Sequence, residues 1–303
     1  MKRFNKPALS GADQLTKLKS RGLLVADDAF ALRRLRHIGY YRLSGYMLPF
    51  QIGGSDKDRH TFRPDTTFEQ IVRLYVFDRK LRLLVLDAVE RIEISVRAGL
   101  SGQIAVANGP HWYENPRLFD RLFNHERHLE EIDRHLANST DVFIDHYNNK
   151  YQGGPPRPPC WMVFECMPFG TVSKIVKWAI PKQMSELCAD YGLPQNVLAS
   201  WLHAVSYARN LCAHHSRLWN RTLTITPIQA HRYRTELTPN NKFYALAVVI
   251  QVILLAIAPD NTWAQRLAKL LDEHSDVPIT SMGFPPEWRD RPFWSASLKT
   301  DES

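Results

Sequence analysis

The chain has 303 residues, 44% of them hydrophobic, enough to bury a sizeable core and too many for a disordered or fibrous protein. Its 39 Lys and Arg against 31 Asp and Glu give a net charge of +8, which favours a polyanionic partner such as nucleic acid. Cys160, Cys166, Cys188 and Cys212 form no C-x-x-C pair and read as reduced thiols of a cytoplasmic protein, with no metal site.

Helical periodicity dominates from the N-terminus onward. The basic start, Met1 to Pro7, leads into polar residues rather than an apolar run and so does not read as a signal peptide. Helices are predicted over 11–21 and 27–38, then in the aromatic segment 40–50, followed by an exposed turn at 53–58. Thr67 is the expected cap of a long helix from Phe68 to Leu100. Along it Phe77, Leu81, Leu84, Ala88, Ile92 and Ser95 make one stripe, and Asp87, Glu90, Glu93 and Arg97 another. Further helices are predicted over 117–137 and 139–150, before the proline cluster 153–159 enforces an extended loop. Beyond the loop, helices are expected over 161–167, 171–178, 181–191, 194–212, 240–257 and 261–273, with an irregular tail after Asp276. The most apolar segment, Phe243 to Ile257, is shorter than the roughly 20 residues of a membrane span and reads as a core helix. With no strand ladder and no phosphate-binding glycine loop, the expected class is all-α, with no membrane contact.

The segment Arg209-Asn210-Leu211-Cys212-Ala213-His214-His215 holds the chemistry. On a helix, Asn210 and His214 share a face, whereas Arg209 lies about 140° round from His214 and has to curl back towards it. Metal-free RNA cleavage needs a base for the 2′-hydroxyl, an acid for the leaving 5′-oxygen and positive charge on the phosphate. Imidazole suits the first two tasks and guanidinium the third. The bare Arg-to-His spacing is not selective, since Arg121 and His128 also satisfy it; of the pairs so spaced, only those of Arg209 have an Asn, Asp or His directly after the Arg. The competing reading is a solvated basic helix end with a structural His.

Other candidates surround this set. Glu90 or Glu93 is placed to orient Arg209, or else belongs to an ordinary ion-pair face with Arg97. Arg33, Arg34 and Arg36 beside Tyr40, Tyr41 and Arg42 interleave cations with aromatics as RNA-binding surfaces do, unless the tyrosines are core. Arg217, Trp219 and Arg221, just past the motif, are candidates for guiding RNA, with packing as the alternative role of Trp219.

Four segments together carry a resemblance: His37 to Tyr46; Phe77 to Arg82 with Glu90 to Glu93; Phe169 to Ser173; and Arg209 to Asn220. They resemble the abortive-infection proteins of the AbiD/AbiF type, in the HEPN superfamily. That resemblance implies a HEPN-like helical bundle with additional N-terminal helices, metal-independent endoribonuclease activity without a cofactor, and a role in bacterial anti-phage or toxin–antitoxin systems. It implies Arg209, Asn210 and His214 as active-site residues, with His215 as the alternative imidazole. A homodimer is expected, because acid and base act on opposite sides of phosphorus and one helix presents one suitably placed His; the rival reading is that His203 or another distant His serves as the partner within one chain. Residues 1–60 are expected as an N-terminal helical segment that contacts RNA, 61–275 as the HEPN-like domain and 276–303 as a tail. The alternative function is a defence or regulatory module that binds RNA, a small regulatory RNA included, without cutting it. A basic face meeting an acidic protein partner is a third reading.

Overall fold

The computed structural model describes residues 7–53, 60–151 and 153–299. The basic residues 1–6 and most of the expected turn at 53–58 lie outside them. Among the described residues the secondary structure is helical, with three isolated β-bridges and no strand, so the protein is all-α. It divides into two compact units, Met1–Leu81 with Leu270–Val277, and Arg82–Lys269 with Pro278–Ser303.

In the first unit α1 (Gly11–Ser20) and α2 (Asp28–Ile38) begin on side-chain caps. The Ser10 hydroxyl accepts from Asp13 N, and the Asp27 carboxylate accepts from Phe30 N. Gly39, at φ 91, makes the corner into α3 (Tyr40–Met47), and a short 3-10 turn at Leu48–Phe50 follows, where Pro49 cannot continue the α-helical ladder. The 41-residue helix α4 (Phe68–Asn108) opens on a capping box: Thr67 Oγ1 accepts from Gln70 N, and Gln70 Oε1 accepts from Thr67 N. Its residues to Leu81 belong to the first unit and the rest to the second. The helix passes the expected end at Leu100 and stops at Gly109, whose φ of 87 takes the left-handed position. The helix runs through Gly99, where a side chain would collide with Leu187.

The second unit adds α5 (His125–Ala137), α6 (Val142–Lys150), α7 (Cys160–Cys166), α8 (Phe169–Trp178), α9 (Pro181–Tyr191), α10 (Gln195–Ala213), α11 (Phe243–Ile257), the start of α12 (Trp263–Glu273) and α13 (Pro292–Leu298). Two expectations fail here. Residues 119–124 are not helical: Phe119 bridges to Ala179 and stacks on Trp112 and Phe123, and the helix waits for the Asn124 cap. The tail after Asp276 is not irregular, since a 3-10 turn at Ile279–Met282 and α13 are held by interlocking rings of Tyr244, Phe284, Trp288 and Trp294. In both places tertiary packing of aromatics overrides local propensity.

The core of this unit is built on α10 and α11. Residues Phe243 to Leu254 of α11 are all buried, and α10 packs against α8, α9 and α11. Gly170 explains the closeness of α8 and α10: a Cβ there would lie 3.2 Å from Ser206 Oγ. The proline loop 153–159 is free of helix but runs through a turn and bends rather than staying extended, and it is pinned where Arg157 forks onto Asp133 at 2.6 and 2.8 Å and reaches Glu114 at 3.0 Å.

His128 on α5 is buried against Phe123, and neither ring nitrogen has a hydrogen-bond partner. Burial pushes its imidazole down to about 4 from 6.5, more than the nearby Glu131 raises it. Between those values the unfolded chain takes up a proton that the folded chain refuses, so stability falls as pH drops from 6.5 to 4 and this contribution is flat elsewhere. Over that window the protein is expected to lose about 3 kcal/mol more than a His128→Leu variant. Urea denaturation of both at pH 7 and pH 4.5 checks this.

Candidate active site

Helix α10 is fixed at its start, where the Gln195 side chain donates to the carbonyls of Val176 and Ala179 at 2.9 and 2.7 Å. Trp201, Leu202, Val205, Ala208, Leu211 and Cys212 bury one side of it. His203, Asn210 and His214 are exposed and Tyr207 is half-buried, and these four fall at spacings of four, three and four on the opposite side.

The helix end decides where the two imidazoles go. His215 takes the left-handed conformation at φ 55, its N–H donates to the Cys212 carbonyl at 3.0 Å, and Ser216 N–H donates to the Leu211 carbonyl at 2.8 Å. This is a Schellman closure with His in the position usually held by Gly. The backbone thus satisfies carbonyls of the last turn, and the His214 imidazole at the cap is exposed and takes no part in closing the helix.

Arg209 points towards α4. Its Nε lies 4.0 Å from Glu93 Oε2, and its Nη1 donates to Asn210 Oδ1 at 3.4 Å, so the guanidinium curls back as far as Asn210. Glu93 gives its other oxygen to Arg97, one turn along α4, in a pair of which each side chain is 13% exposed. Arg97 in turn donates to the Met167 carbonyl at 2.8 Å and meets Glu165 at 3.3 Å, tying α4 to the connection between α7 and α8. Arg97, Glu93 and Arg209 line an open groove with Leu86, Val89, Glu90 and Ile94. Glu90 is exposed, and Glu93 is the acid that reaches Arg209. At 4.0 Å the contact is electrostatic rather than a hydrogen bond, so it orients Arg209 while leaving donors for an anion. The sequence carries no signal for the part played by the Met167 carbonyl, since a backbone acceptor has no residue type, and the Glu165 contact depends on packing between distant segments.

The remaining candidates divide. Arg33, Arg36 and Arg42 are exposed in the first unit, and Tyr41 is 92% exposed. Tyr40 is half-buried and accepts from Arg21 at 3.1 Å, while the Arg34 guanidinium lies 4.9 Å over Phe30; both are engaged in local packing. Arg217 and Arg221 are half-buried beside α10. Trp219, named for RNA stacking, is corrected: at 1% exposure it belongs to the core and no base can reach its face.

The fold and this site together define an all-α protein with a guanidinium, a carboxamide and an imidazole at the exposed C-terminal end of a core helix. A profile of Abi-like proteins matches residues 33–220, more than half of the chain, and the protein belongs to that family. The matched span runs from α2 to the turn after α10 and so contains Arg209, Asn210 and His214. No curated protein and no solved structure matches the chain.

If Glu93 is the shared anchor, Glu93→Ala leaves Arg97 without its partner in a largely desolvated place and releases Arg209. A loss of about 2 kcal/mol is expected in urea denaturation, whereas Glu90→Ala should change stability by less than about 0.5 kcal/mol.

Proposed function

We propose that this protein is a metal-independent endoribonuclease of the HEPN type, of the AbiD/AbiF kind, acting in abortive infection or a toxin–antitoxin pair. The observation that carries the reading is the exposed His214 imidazole on the same face of α10 as Asn210, with Arg209 hydrogen-bonded to that Asn210. Membership of the Abi-like family supports the defence role.

In this reading an imidazole takes the proton from a ribose 2′-hydroxyl, and the 2′-oxygen bonds to phosphorus. The bond from phosphorus to the 5′-oxygen breaks, and an acid supplies that oxygen with a proton. The products are a 2′,3′-cyclic phosphate and a 5′-hydroxyl. Arg209 holds the charge of the pentacoordinate phosphate, and Asn210 fixes a phosphate oxygen. One His214 per chain supplies one of the two proton transfers, so a second copy completes the site as a homodimer. His215 is committed by its left-handed backbone to closing the helix, which favours His214 as the reacting imidazole.

The test is RNA cleavage by purified protein in EDTA, paired with growth of a bacterium expressing it. His214→Ala and Arg209→Ala are each expected to lower the cleavage rate by at least about 100-fold and to abolish growth arrest. His215→Gly, suited to the same backbone, should retain cleavage. Tight RNA binding with no cleavage by the intact chain would instead establish the non-catalytic RNA-binding module.

A further inference from the structure

We propose that the groove running from Arg209 to Glu90 is a base-recognition subsite, which holds the nucleotide at the scissile phosphate and selects guanine through the Glu90 carboxylate. The proposal rests on RNA being the ligand of the Arg209–His214 site.

The charged residues of the groove are unequally satisfied. Glu93 and Arg97 pair closely, largely withdrawn from water, and so neutralise each other. Arg209 is 40% exposed, and its contacts with Glu93 at 4.0 Å and with Asn210 at 3.4 Å are long, so most of its donors stay open. Glu90 is exposed, and among the described residues nothing hydrogen-bonds to its carboxylate or pairs with it. One groove therefore carries open donors on Arg209 and open acceptors on Glu90.

Between these charges the surface is aliphatic. Leu86, Glu90 and Ile94 follow at spacings of four and share one face of α4, with Val89 buried beside them. The carboxylate is thus flanked, one turn to either side, by an apolar side chain on which a flat ring can rest. Ile94 is 56% exposed, apolar surface that the chain itself leaves uncovered. The groove holds about 380 Å³, a size ordinary for a small-molecule site.

A ligand that meets all three features has an anion at one end, a flat apolar body and N–H donors at the other, as a nucleotide has. A carboxylate only accepts, so it discriminates between base edges. Guanine presents two adjacent donors, N1–H and N2–H, to the two carboxylate oxygens. Adenine and cytosine present one amino group each, and uracil presents a single N–H between two carbonyls that repel a carboxylate. Glu90 precedes Glu93 by three residues, about 4.5 Å along the axis. A phosphate on Arg209, opposite Glu93, and a base edge on Glu90 are then about one turn of α4 apart, within the reach of one nucleotide.

The experiment measures fluorescence anisotropy of labelled 2′-O-methyl uridine oligomers carrying a single guanosine, inosine, adenosine or cytidine, with the full chain. These probes lack the attacking hydroxyl and share one phosphate backbone, so their differences report the base. The guanosine oligomer should bind about tenfold more tightly than uridine alone, and inosine, which lacks the N2 amino group, should lose most of that preference. Glu90→Gln should bring guanosine and uridine within about twofold, while Glu130→Gln, the same charge change on an exposed face of α5, should keep the preference. Ile94→Ser should weaken binding of every oligomer about threefold. Equal binding of guanosine and uridine oligomers, no binding at all, or a guanosine preference kept in a Glu90→Gln protein that melts like the parent overturns the subsite. A dimeric parent that becomes monomeric in Ile94→Ser gives the groove to a second copy and overturns it as well. Cleavage of unmodified RNA is mapped separately. A Glu90-dependent guanosine preference without cleavage upholds the subsite and removes the nuclease reading, whereas His214-dependent cleavage indifferent to guanosine removes the subsite alone.

Discussion

Glu93 stands between two guanidinium groups, and the geometry of the site depends on the inequality of those two contacts. Arg97 takes one carboxylate oxygen closely, in a place where both side chains are largely withdrawn from water, and is itself pinned by the Met167 carbonyl. That pair is costly to break, because either partner alone is a poorly solvated charge. Arg209 meets the other oxygen at 4.0 Å, where the attraction is on the order of 1 to 4 kcal/mol between bulk-water and near-surface dielectric. Such a contact aims a long side chain without exhausting it. A bidentate pair would have used the fork that a phosphate needs.

Helix α10 turns this electrostatic arrangement into a two-sided element. One side is core, one edge faces Glu93, and the remaining side runs His203, Tyr207, Asn210 and His214 to the helix end. The Schellman closure matters as much as the motif, since it lets backbone groups complete the last turn and leaves His214 exposed. His215 accepts a left-handed conformation that costs an L residue about 1 kcal/mol or more, and the following Leu218 and Trp219 anchor the turn in the core. The turn is anchored in the core by its buried aromatic, which is also why that aromatic is lost as a base-stacking platform.

Much of the fold was legible in the sequence, for reasons that differ by element. The capped helices α1 and α2 and the α4 start at Thr67 could be read because caps and 3.6-residue periodicity are local properties, as could the 15-residue apolar α11. The failures are non-local. Phe119 to Asn124 has helix-compatible residues, yet a ring stack claims them, and the tail near Pro292 looks irregular until Trp294 is seen among Tyr244 and Trp288. At the site, the Asn210–His214 face follows from helical register alone, and so does the separation of Arg209 from it. The choice of Glu93 over the exposed Glu90 needed the packing of α4 and α10, and the closure of α10 depended on a left-handed residue, His215, that no local pattern marks.

The most direct test of the account is the chemistry of the RNA ends left by the protein in EDTA, read by mass spectrometry on an oligoribonucleotide and on the same oligomer with one 2′-deoxy residue at the cut position. Attack by the 2′-oxygen predicts a 2′,3′-cyclic phosphate and a 5′-hydroxyl from the first and an intact second. A 5′-phosphate on the product, or cutting at the 2′-deoxy position, would contradict an imidazole-driven transesterification at His214.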